Sequence, residues 1–161
     1  MTIAVGDKLP AATIYKLGSE GPEAVETADF FAGRKVVVFA VPGAFTPTCN
    51  AKHLPGYVQH AAAIKAKGVD EIACVAVNDP FVMDAWSKAG SVGDAVTMLS
   101  DGNGAFSTAL GLTFDGSGFG LATRSQRYAM IVDDGVVKHL AIDPAPPVLE
   151  ESAAEKTLAA L

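Results

Sequence analysis

The chain has 161 residues, and 12 Lys and Arg against 18 Asp and Glu give a net charge of −6. This length predicts a single domain over residues 1–161, and an acidic chain without Lys/Arg clusters is a poor nucleic-acid binder. Residues 36–51, the longest uncharged stretch, contain two prolines and fall short of the ~20 apolar residues of a membrane span, so we expect no membrane contact. No basic region followed by an apolar block opens the sequence; we therefore expect no signal peptide and a cytoplasmic location.

Four segments have the composition of β-strands. Lys35 to Val41 is a nearly continuous apolar run, typical of a strand covered on both faces, and Glu71 to Val77 repeats this pattern. Two later strands, Arg127 to Asp133 and Val136 to Ile142, are joined by an Asp-Asp-Gly turn and predict a hairpin.

Helix-like segments alternate with these strands: Pro47 to about Lys67, Pro80 to Ala89, Ala105 to Leu110, and Glu150 to Leu161. Asp79 before Pro80 is a favoured helix start, and the glycine-rich stretch from Gly111 to Thr123 predicts a loop. The alternation followed by a hairpin predicts an α/β fold with a central mixed β-sheet flanked by helices.

The chain has two cysteines, Cys49 and Cys74, which are 25 positions apart and form no CxxC pair. Together with three scattered histidines they cannot supply the usual zinc ligand patterns, so we expect no metal and no cofactor. A reducing compartment disfavours a permanent disulfide. If the cysteines have chemistry, it is thiol chemistry.

The segment from Pro42 to Cys49 leaves the first buried strand and enters a helix. Thr46 is a good N-cap and Pro47 suits the first helical position, which places Cys49 inside the first turn. Free amides and the helix dipole favour a thiolate there, and open α/β sheets place ligands at this edge. The alternative is that Cys49 is a small buried apolar residue.

These residues resemble a known family. The segment P-G-A-F-T-P-T-C-N-A-K-H-L-P-G-Y is similar to the active-site segment of peroxiredoxins, with its Pro-x-x-x-Thr-x-x-Cys pattern. Two later blocks, V-N-D-P-F-V-M-D-A-W and G-L-A-T-R-S-Q-R-Y-A-M, resemble the type II, peroxiredoxin-five-like branch. The resemblance implies a thioredoxin-like fold and an enzyme that reduces hydrogen peroxide and organic hydroperoxides through a sulfenic acid on Cys49.

The resemblance also implies roles for individual residues. Pro42 would shield the thiolate, and the Thr46 hydroxyl would accept a hydrogen bond from the peroxide. Arg124 would hold the thiolate and the peroxide oxygens, since a guanidinium can serve two acceptors at once. Arg127 lies close by in the sequence, and the match to the R-S-x-R-Y block selects Arg124. Without the resemblance, either arginine would be read as a solvated surface charge.

Other residues near this segment have two interpretations. His53 stands four positions after Cys49, as in a Cys–His nucleophile–base pair, but we interpret it as a polar structural residue near the pocket. Phe45, Phe81 and Phe119 are individually typical of core packing. In type II relatives these regions contribute to a dimer face beside the active site, which implies a homodimer.

Cys74 lies in a predicted buried strand, where cysteine is commonly inert. Plant-like type II members carry a second cysteine at this place, sometimes assigned as the resolving cysteine. Animal-like members instead use a cysteine near the C-terminus, and the tail here, Pro144 to Leu161, has none. Glutathione, alone or with glutaredoxin, is therefore our expected reductant of the sulfenic acid. Thioredoxin acting through a Cys49–Cys74 disulfide is the alternative, and a peroxide sensor without turnover is another. A thioredoxin-type oxidoreductase would need CxxC, and here Thr46 takes the place of the first cysteine.

Overall fold

The structure, a computed structural model, describes residues 1–161 and contains nine strands. They are β1 (Thr13–Gly18), β2 (Gly21–Glu26), β3 (Lys35–Ala40), β4 (Glu71–Ala76), β5 (Thr97–Ser100), β6 (Thr113–Asp115), β7 (Thr123–Ser125), β8 (Tyr128–Asp133) and β9 (Val136–Ile142). Seven of them form one sheet in the order β2-β1-β5-β4-β3-β8-β9, and β6 pairs with β7 separately.

The two apolar runs of the sequence form the middle of this sheet. β3 and β4 are parallel neighbours, with Phe39 opposite Cys74, and all their residues after the first are buried. β8 joins β3 in the antiparallel sense and continues into β9. The predicted buried strands and hairpin are therefore confirmed, and the sheet is mixed.

Five α-helices accompany the sheet: α1 (Thr27–Phe31), α2 (Leu54–Lys65), α3 (Pro80–Ala89), α4 (Ala105–Leu110) and α5 (Ala154–Ala160). Residues of α2, α3 and α5 pack with Phe39 in one apolar core, and residues of α1 and α4 pack with Val38 in a second. Because neighbouring strand residues point to opposite faces, the two cores lie on the two sides of the sheet. The predicted fold class, a central mixed sheet flanked by helices, is confirmed.

The first long helix differs from the prediction. Cys49–His53 forms a π-helical turn before α2, in which the Leu54 amide donates to the Cys49 carbonyl five residues back. Pro55 supplies a reason, because its ring would clash with the carbonyl of Ala51 in a regular α-helix. The chain is helical from Pro47, as predicted, and the Thr46 carbonyl accepts from the Asn50 amide at 2.9 Å, but the Thr46 hydroxyl does not cap the helix. The Thr46 hydroxyl donates instead to the Gly43 carbonyl at 2.6 Å.

Elsewhere the predicted boundaries hold less well. β1, β2 and β5 were not predicted; β1 and β2 form a partly exposed hairpin at one end of the sheet, with β2 outermost, and have no continuous apolar run. The segment from Gly111 to Thr123, expected to be a loop, includes β6 and a 3-10 turn at Ser117–Phe119. The last helix begins at Ala154 rather than Glu150. No helix is both long enough and apolar enough to span a bilayer.

Candidate active site

Cys49 lies where the chain turns from the carboxyl end of β3 into the helical segment. It is the first residue of the π-helical turn, and its side chain is fully buried. Wide π turns occur frequently at functional sites, because they change the direction of side chains within a helix. The burial agrees with the alternative of an inert core cysteine, so the neighbours of the sulfur decide between the two interpretations.

The guanidinium of Arg127 contacts this sulfur directly. Nη2 donates to Cys49 Sγ at 3.1 Å, and Nε and Nη2 donate to the Pro146 carbonyl at 3.1 and 2.8 Å. Arg127 is only 2% exposed, so its charge is poorly screened by water. A permanent cation touching a buried sulfur stabilises the thiolate relative to the thiol. This contact is what an inert core cysteine lacks.

His53 occupies the other side of the same guanidinium. Arg127 Nη1 lies 2.8 Å from His53 Nδ1, and because arginine has no acceptor, Nδ1 must accept this hydrogen bond. Nε2 therefore carries the proton and donates to the Ser152 carbonyl at 3.2 Å. Burial, followed by the Arg127 charge, lowers the pKa of His53 from 6.5 to about 3. The imidazole is neutral and fixes the arginine, as expected of a structural residue near the pocket.

The arginine assignment from the resemblance requires a correction. Arg124 does not touch the sulfur; Nε donates to the Leu121 carbonyl at 2.9 Å and Nη1 to the Pro42 carbonyl at 3.3 Å. Arg124 lies on β7, which pairs with β6 outside the main sheet. Arg127 immediately precedes β8, whose pairing with β3 brings it beside the loop leading to Cys49. The structure therefore brings Arg127, rather than Arg124, to the Cys49 sulfur.

Thr46 and Pro42 line the cleft that leads to Arg127. The loop that contains both residues is fixed by a hydrogen bond to Asn78, whose side-chain oxygen accepts from the Ala44 amide at 2.8 Å. It is also held by Arg124 on the Pro42 carbonyl. Because the only hydroxyl proton of Thr46 goes to Gly43, a hydroxyl group arriving beside Thr46 Oγ1 can only donate to it.

The cleft itself has a volume of about 450 Å³ and mostly apolar walls. Its lining residues are Pro42, Thr46, Pro47, Thr48, Phe114, Phe119, Leu121, Arg127, Pro146 and Pro147. The rim includes Phe119, which is 87% exposed, while Phe45 and Phe81 are exposed by 50% and 59%. None of these three phenylalanines packs in the core, which rules out the core interpretation for them.

Cys74 is fully buried in the middle of β4 and belongs to the same apolar core as Cys49. Burial, and secondarily the nearby Cys49 charge, raises the pKa of the Cys74 thiol well above its ordinary value. Both cysteines are free thiols. Cys74 therefore stays protonated and is a poor nucleophile in this conformation.

Three functional neighbours escaped the sequence analysis. Pro146 and Ser152 act through main-chain carbonyls, which no side-chain pattern reveals. Tyr57, which donates to the Ser152 carbonyl at 2.7 Å, appeared in the sequence only as the last residue of the peroxiredoxin-like segment. A second groove of about 350 Å³ includes Glu71 and Thr97 at the amino ends of β4 and β5, the sheet end opposite Cys49. No group of three or more His, Cys, Asp or Glu side chains is placed to bind a metal ion.

Comparison with known proteins agrees with this geometry. The redoxin family profile matches residues 4–158. Peroxiredoxin-2E-2, chloroplastic, from Oryza sativa subsp. japonica is 53% identical over 165 aligned positions, covering 99% of this chain and 73% of the relative. The chain belongs to the peroxiredoxins, in their type II, peroxiredoxin-five-like branch.

Solved peroxiredoxin structures match the same fold. Reduced Prx3 from Vibrio vulnificus in complex with hydrogen peroxide superposes with a TM-score of 0.94 at 53% identity, and 99% of each chain is covered. Peroxiredoxin 5 from Alvinella pompejana superposes with a TM-score of 0.85 at 36% identity, covering 98% and 96% of the two chains. The chain is thus a peroxidase of the peroxiredoxin type. The chloroplastic name of the rice relative does not match the cytoplasmic location expected from the sequence.

Proposed function

We propose that this peroxiredoxin reduces hydrogen peroxide and organic hydroperoxides through the Cys49 thiolate. The observation that carries the proposal is the contact of Arg127 with Cys49 Sγ at 3.1 Å, because Arg127 also lines the cleft. The thiolate attacks the terminal peroxide oxygen, the O–O bond breaks, and the sulfenic acid Cys–SOH forms. The departing oxygen leaves as hydroxide or alkoxide and takes up a proton to become water or alcohol.

Arg127 would stabilise this reaction more in the transition state than in the ground state. Negative charge moves from the sulfur to the leaving oxygen as the O–O bond breaks, and the guanidinium already touches the sulfur. A buried, fixed cation at that point stabilises the developing charge without reorganisation. His53 and the Pro146 carbonyl keep the guanidinium in this orientation.

Thr46 and Pro42 would orient the peroxide and protect the sulfur from water. The hydroxyl proton of Thr46 is committed to the Gly43 carbonyl, so its free lone pairs suit the O–H of a hydroperoxide. Pro42 supplies an apolar wall on the same cleft and has no amide proton to compete. Arg124 supports both residues indirectly through its hydrogen bond to the Pro42 carbonyl.

The shape of the cleft favours organic hydroperoxides as substrates alongside hydrogen peroxide. Its volume of about 450 Å³ exceeds what two oxygen atoms need, and side chains such as Phe119 and Leu121 offer apolar contact. Burial of an alkyl group on such walls contributes about 0.8 kcal/mol per CH₂. An alkyl hydroperoxide would therefore be bound more tightly than hydrogen peroxide.

Glutathione, alone or with glutaredoxin, is the reductant we propose. One glutathione would attack the sulfenic acid, releasing water and forming a mixed disulfide on Cys49; a second thiol would then restore Cys49 and release oxidised glutathione. The protonated, buried state of Cys74 supports an external thiol over an internal one. Cys49 is fully buried, however, and an external thiol must reach its sulfur. The glutathione route therefore also requires local opening of the site.

Three further parts of the proposal concern organisation. We infer a homodimer, because Phe45, Phe81 and Phe119 are exposed apolar side chains and Phe119 lines the cleft. Residues 1–161 would act as a single thioredoxin-like domain, a view supported by the redoxin match over residues 4–158. The free thiols suit a reducing compartment, and the cytoplasm remains our proposal for it.

Replacing the proposed nucleophile tests the function. Cys49→Ser is expected to abolish peroxide consumption with glutathione plus glutaredoxin and with thioredoxin, while circular dichroism shows an intact fold. The wild-type protein should consume many equivalents of peroxide with glutathione and glutaredoxin. Consumption that stops after one equivalent with either reductant would indicate a sensor instead. Substantial turnover by Cys49→Ser would refute the assignment of the nucleophile.

A further inference from the structure

Asp143 is a buried carboxylate that the proposed reaction does not use. It follows β9 directly, is 3% exposed, and forms no ion pair with any Lys, Arg or His side chain. Its own amide donates to the Arg127 carbonyl at 3.0 Å, so it lies beside Arg127 at the sheet end. Burying a charged group costs desolvation free energy unless hydrogen bonds compensate it. The hydrogen-bond partners of the Asp143 carboxylate therefore show what stabilises it.

The partners of Asp143 all come from the end of one segment, residues 144–152, which we call the strap. Oδ1 accepts hydrogen bonds from the Glu150 and Glu151 amides at 3.1 and 2.8 Å. Oδ2 accepts from the Ser152 amide at 3.3 Å and from the Ser152 hydroxyl. Four donors thus converge on one carboxylate and close the strap into a loop that starts and ends at Asp143.

The strap in turn holds the groups around the Cys49 sulfur. Its Pro146 carbonyl accepts two hydrogen bonds from Arg127, and its Ser152 carbonyl accepts from His53 and from Tyr57. His53 and Arg127 then meet each other at 2.8 Å. Arg127 itself and His53, which orients its guanidinium, are therefore both tied to carbonyls of the strap.

The strap has few other means of holding its shape. Three of its residues are prolines without an amide proton, and one internal main-chain hydrogen bond, from Val148 to Ala145, joins its first half. An exposed hydrogen bond from the Thr48 hydroxyl to the Pro147 carbonyl, at 3.2 Å, adds a weak tie. The carboxylate of Asp143 is the main anchor.

We propose that Asp143 is a positioning residue for the peroxide reaction, which folds the strap so that its carbonyls hold Arg127 against the Cys49 sulfur. The inference rests on the proposed function of Cys49 and Arg127. Asp143→Asn preserves the size of the side chain but replaces one acceptor oxygen with an amide donor, which in either orientation faces a main-chain N–H of the strap. The strap should then release, and Arg127 should lose its fixed orientation.

The experiment compares Asp143→Asn with Ser152→Ala and with the control Glu150→Gln, all in a Cys74→Ala background. Ser152→Ala removes one donor to the carboxylate and keeps the carbonyl. Glu150→Gln removes one negative charge from the strap but keeps the Glu150 amide. Two quantities are measured well below the unfolding temperature: the rate constant for peroxide, and the pH at which Cys49 becomes half-reactive toward iodoacetamide.

We expect Asp143→Asn to lower the peroxide rate constant by about tenfold or more, as for a misplaced transition-state donor, and to raise the half-reactive pH. Ser152→Ala should change both in the same direction by a smaller factor, and Glu150→Gln should change neither. A folded Asp143→Asn with wild-type values overturns the proposal. If that variant does not fold, wild-type values for Ser152→Ala overturn it. The alkylation profile needs no peroxide turnover, so a wild-type protein without peroxidase activity would refute the proposed function separately.

Discussion

The two arginines near the cleft can be separated by replacing each with lysine, which keeps the charge and removes the planar fork. Arg127 serves three acceptors, namely Cys49 Sγ, His53 Nδ1 and the Pro146 carbonyl. A lysine ammonium is a point charge and cannot reach all three from a single nitrogen. Arg124 serves only the carbonyls of Leu121 and Pro42.

The expected magnitudes follow from these contacts. Loss of one preorganised donor at a developing anion typically costs about 10²–10³ in rate, or about 2.7–4 kcal/mol. We therefore expect Arg127→Lys to slow oxidation of Cys49 by about 100-fold. Arg124→Lys changes the support of the cleft wall and should slow the same step by less than about tenfold. Buried acceptors left unpaired in Arg127→Lys also cost about 1–3 kcal/mol each in stability, so both variants need a thermal unfolding control.

The assay is stopped-flow mixing of reduced protein with peroxide. Trp86, the only tryptophan, is buried, and its indole N–H donates at 2.9 Å to the side chain of Asn50, the residue that follows Cys49. Its fluorescence is therefore expected to report oxidation, with loss of free thiol as the independent measure. The reasoning fails if folded Arg124→Lys is slowed more than Arg127→Lys. It also fails if Arg127→Lys oxidises at the wild-type rate.

Three other predictions address the remaining assignments. Cys74→Ala should keep most of the glutathione-dependent activity. Intact mass spectrometry of wild-type protein treated with peroxide in the presence of glutathione should show a glutathione adduct on Cys49. An inactive Cys74→Ala variant, together with a wild-type mass lower by two hydrogens and without adduct, would make Cys74 the resolving residue. Because the pKa of His53 falls from 6.5 to about 3 on folding, the unfolded chain binds the extra proton between these values. The contribution of His53 to the free energy of unfolding, measured in urea, should therefore be complete above pH 6.5 and decrease toward pH 3. The free energy of unfolding should depend less steeply on pH in His53→Gln, and equal slopes would contradict the neutral imidazole. Phe81→Ser should weaken the proposed homodimer in sedimentation experiments, and an unchanged dimer would place the interface elsewhere.

The sequence predicted those parts of the fold that depend on local composition. The apolar runs gave the buried strands β3 and β4, and Asp79 was recognised as a cap, which its acceptance of the Val82 amide at 2.9 Å confirms. The π-helical turn could not be predicted, because a Pro55 inside a helix is compatible with a kink, a break or a wide turn. The edge hairpin β1–β2 was missed because half-exposed strands have no continuous apolar pattern.

The residues of the site likewise fall into those that local sequence predicts and those that depend on long-range contacts. Cys49, Thr46 and Pro42 lie in one short segment, so their neighbourhood follows from the chain itself. The choice between Arg124 and Arg127 depends on which residue adjoins the end of β8 that pairs with β3, and local sequence does not specify this long-range pairing. The carbonyls of Pro146 and Ser152 are invisible in side-chain patterns. Asp143 showed no signal beyond being one acidic residue near a run of prolines.

The rest of the protein contacts the strap mainly through hydrogen bonds to the main-chain groups of the strap. Arg127, His53 and Tyr57 donate to its carbonyl oxygens, and Asp143 accepts from three of its amides, while only the Ser152 side chain takes part in these contacts. A deep mutational scan should therefore find the exposed positions 150 and 151 broadly permissive, with proline as the excluded residue because it removes the donated amide proton. Such a segment can diversify in sequence, and acquire new surface chemistry beside the cleft, without disturbing the arginine it supports.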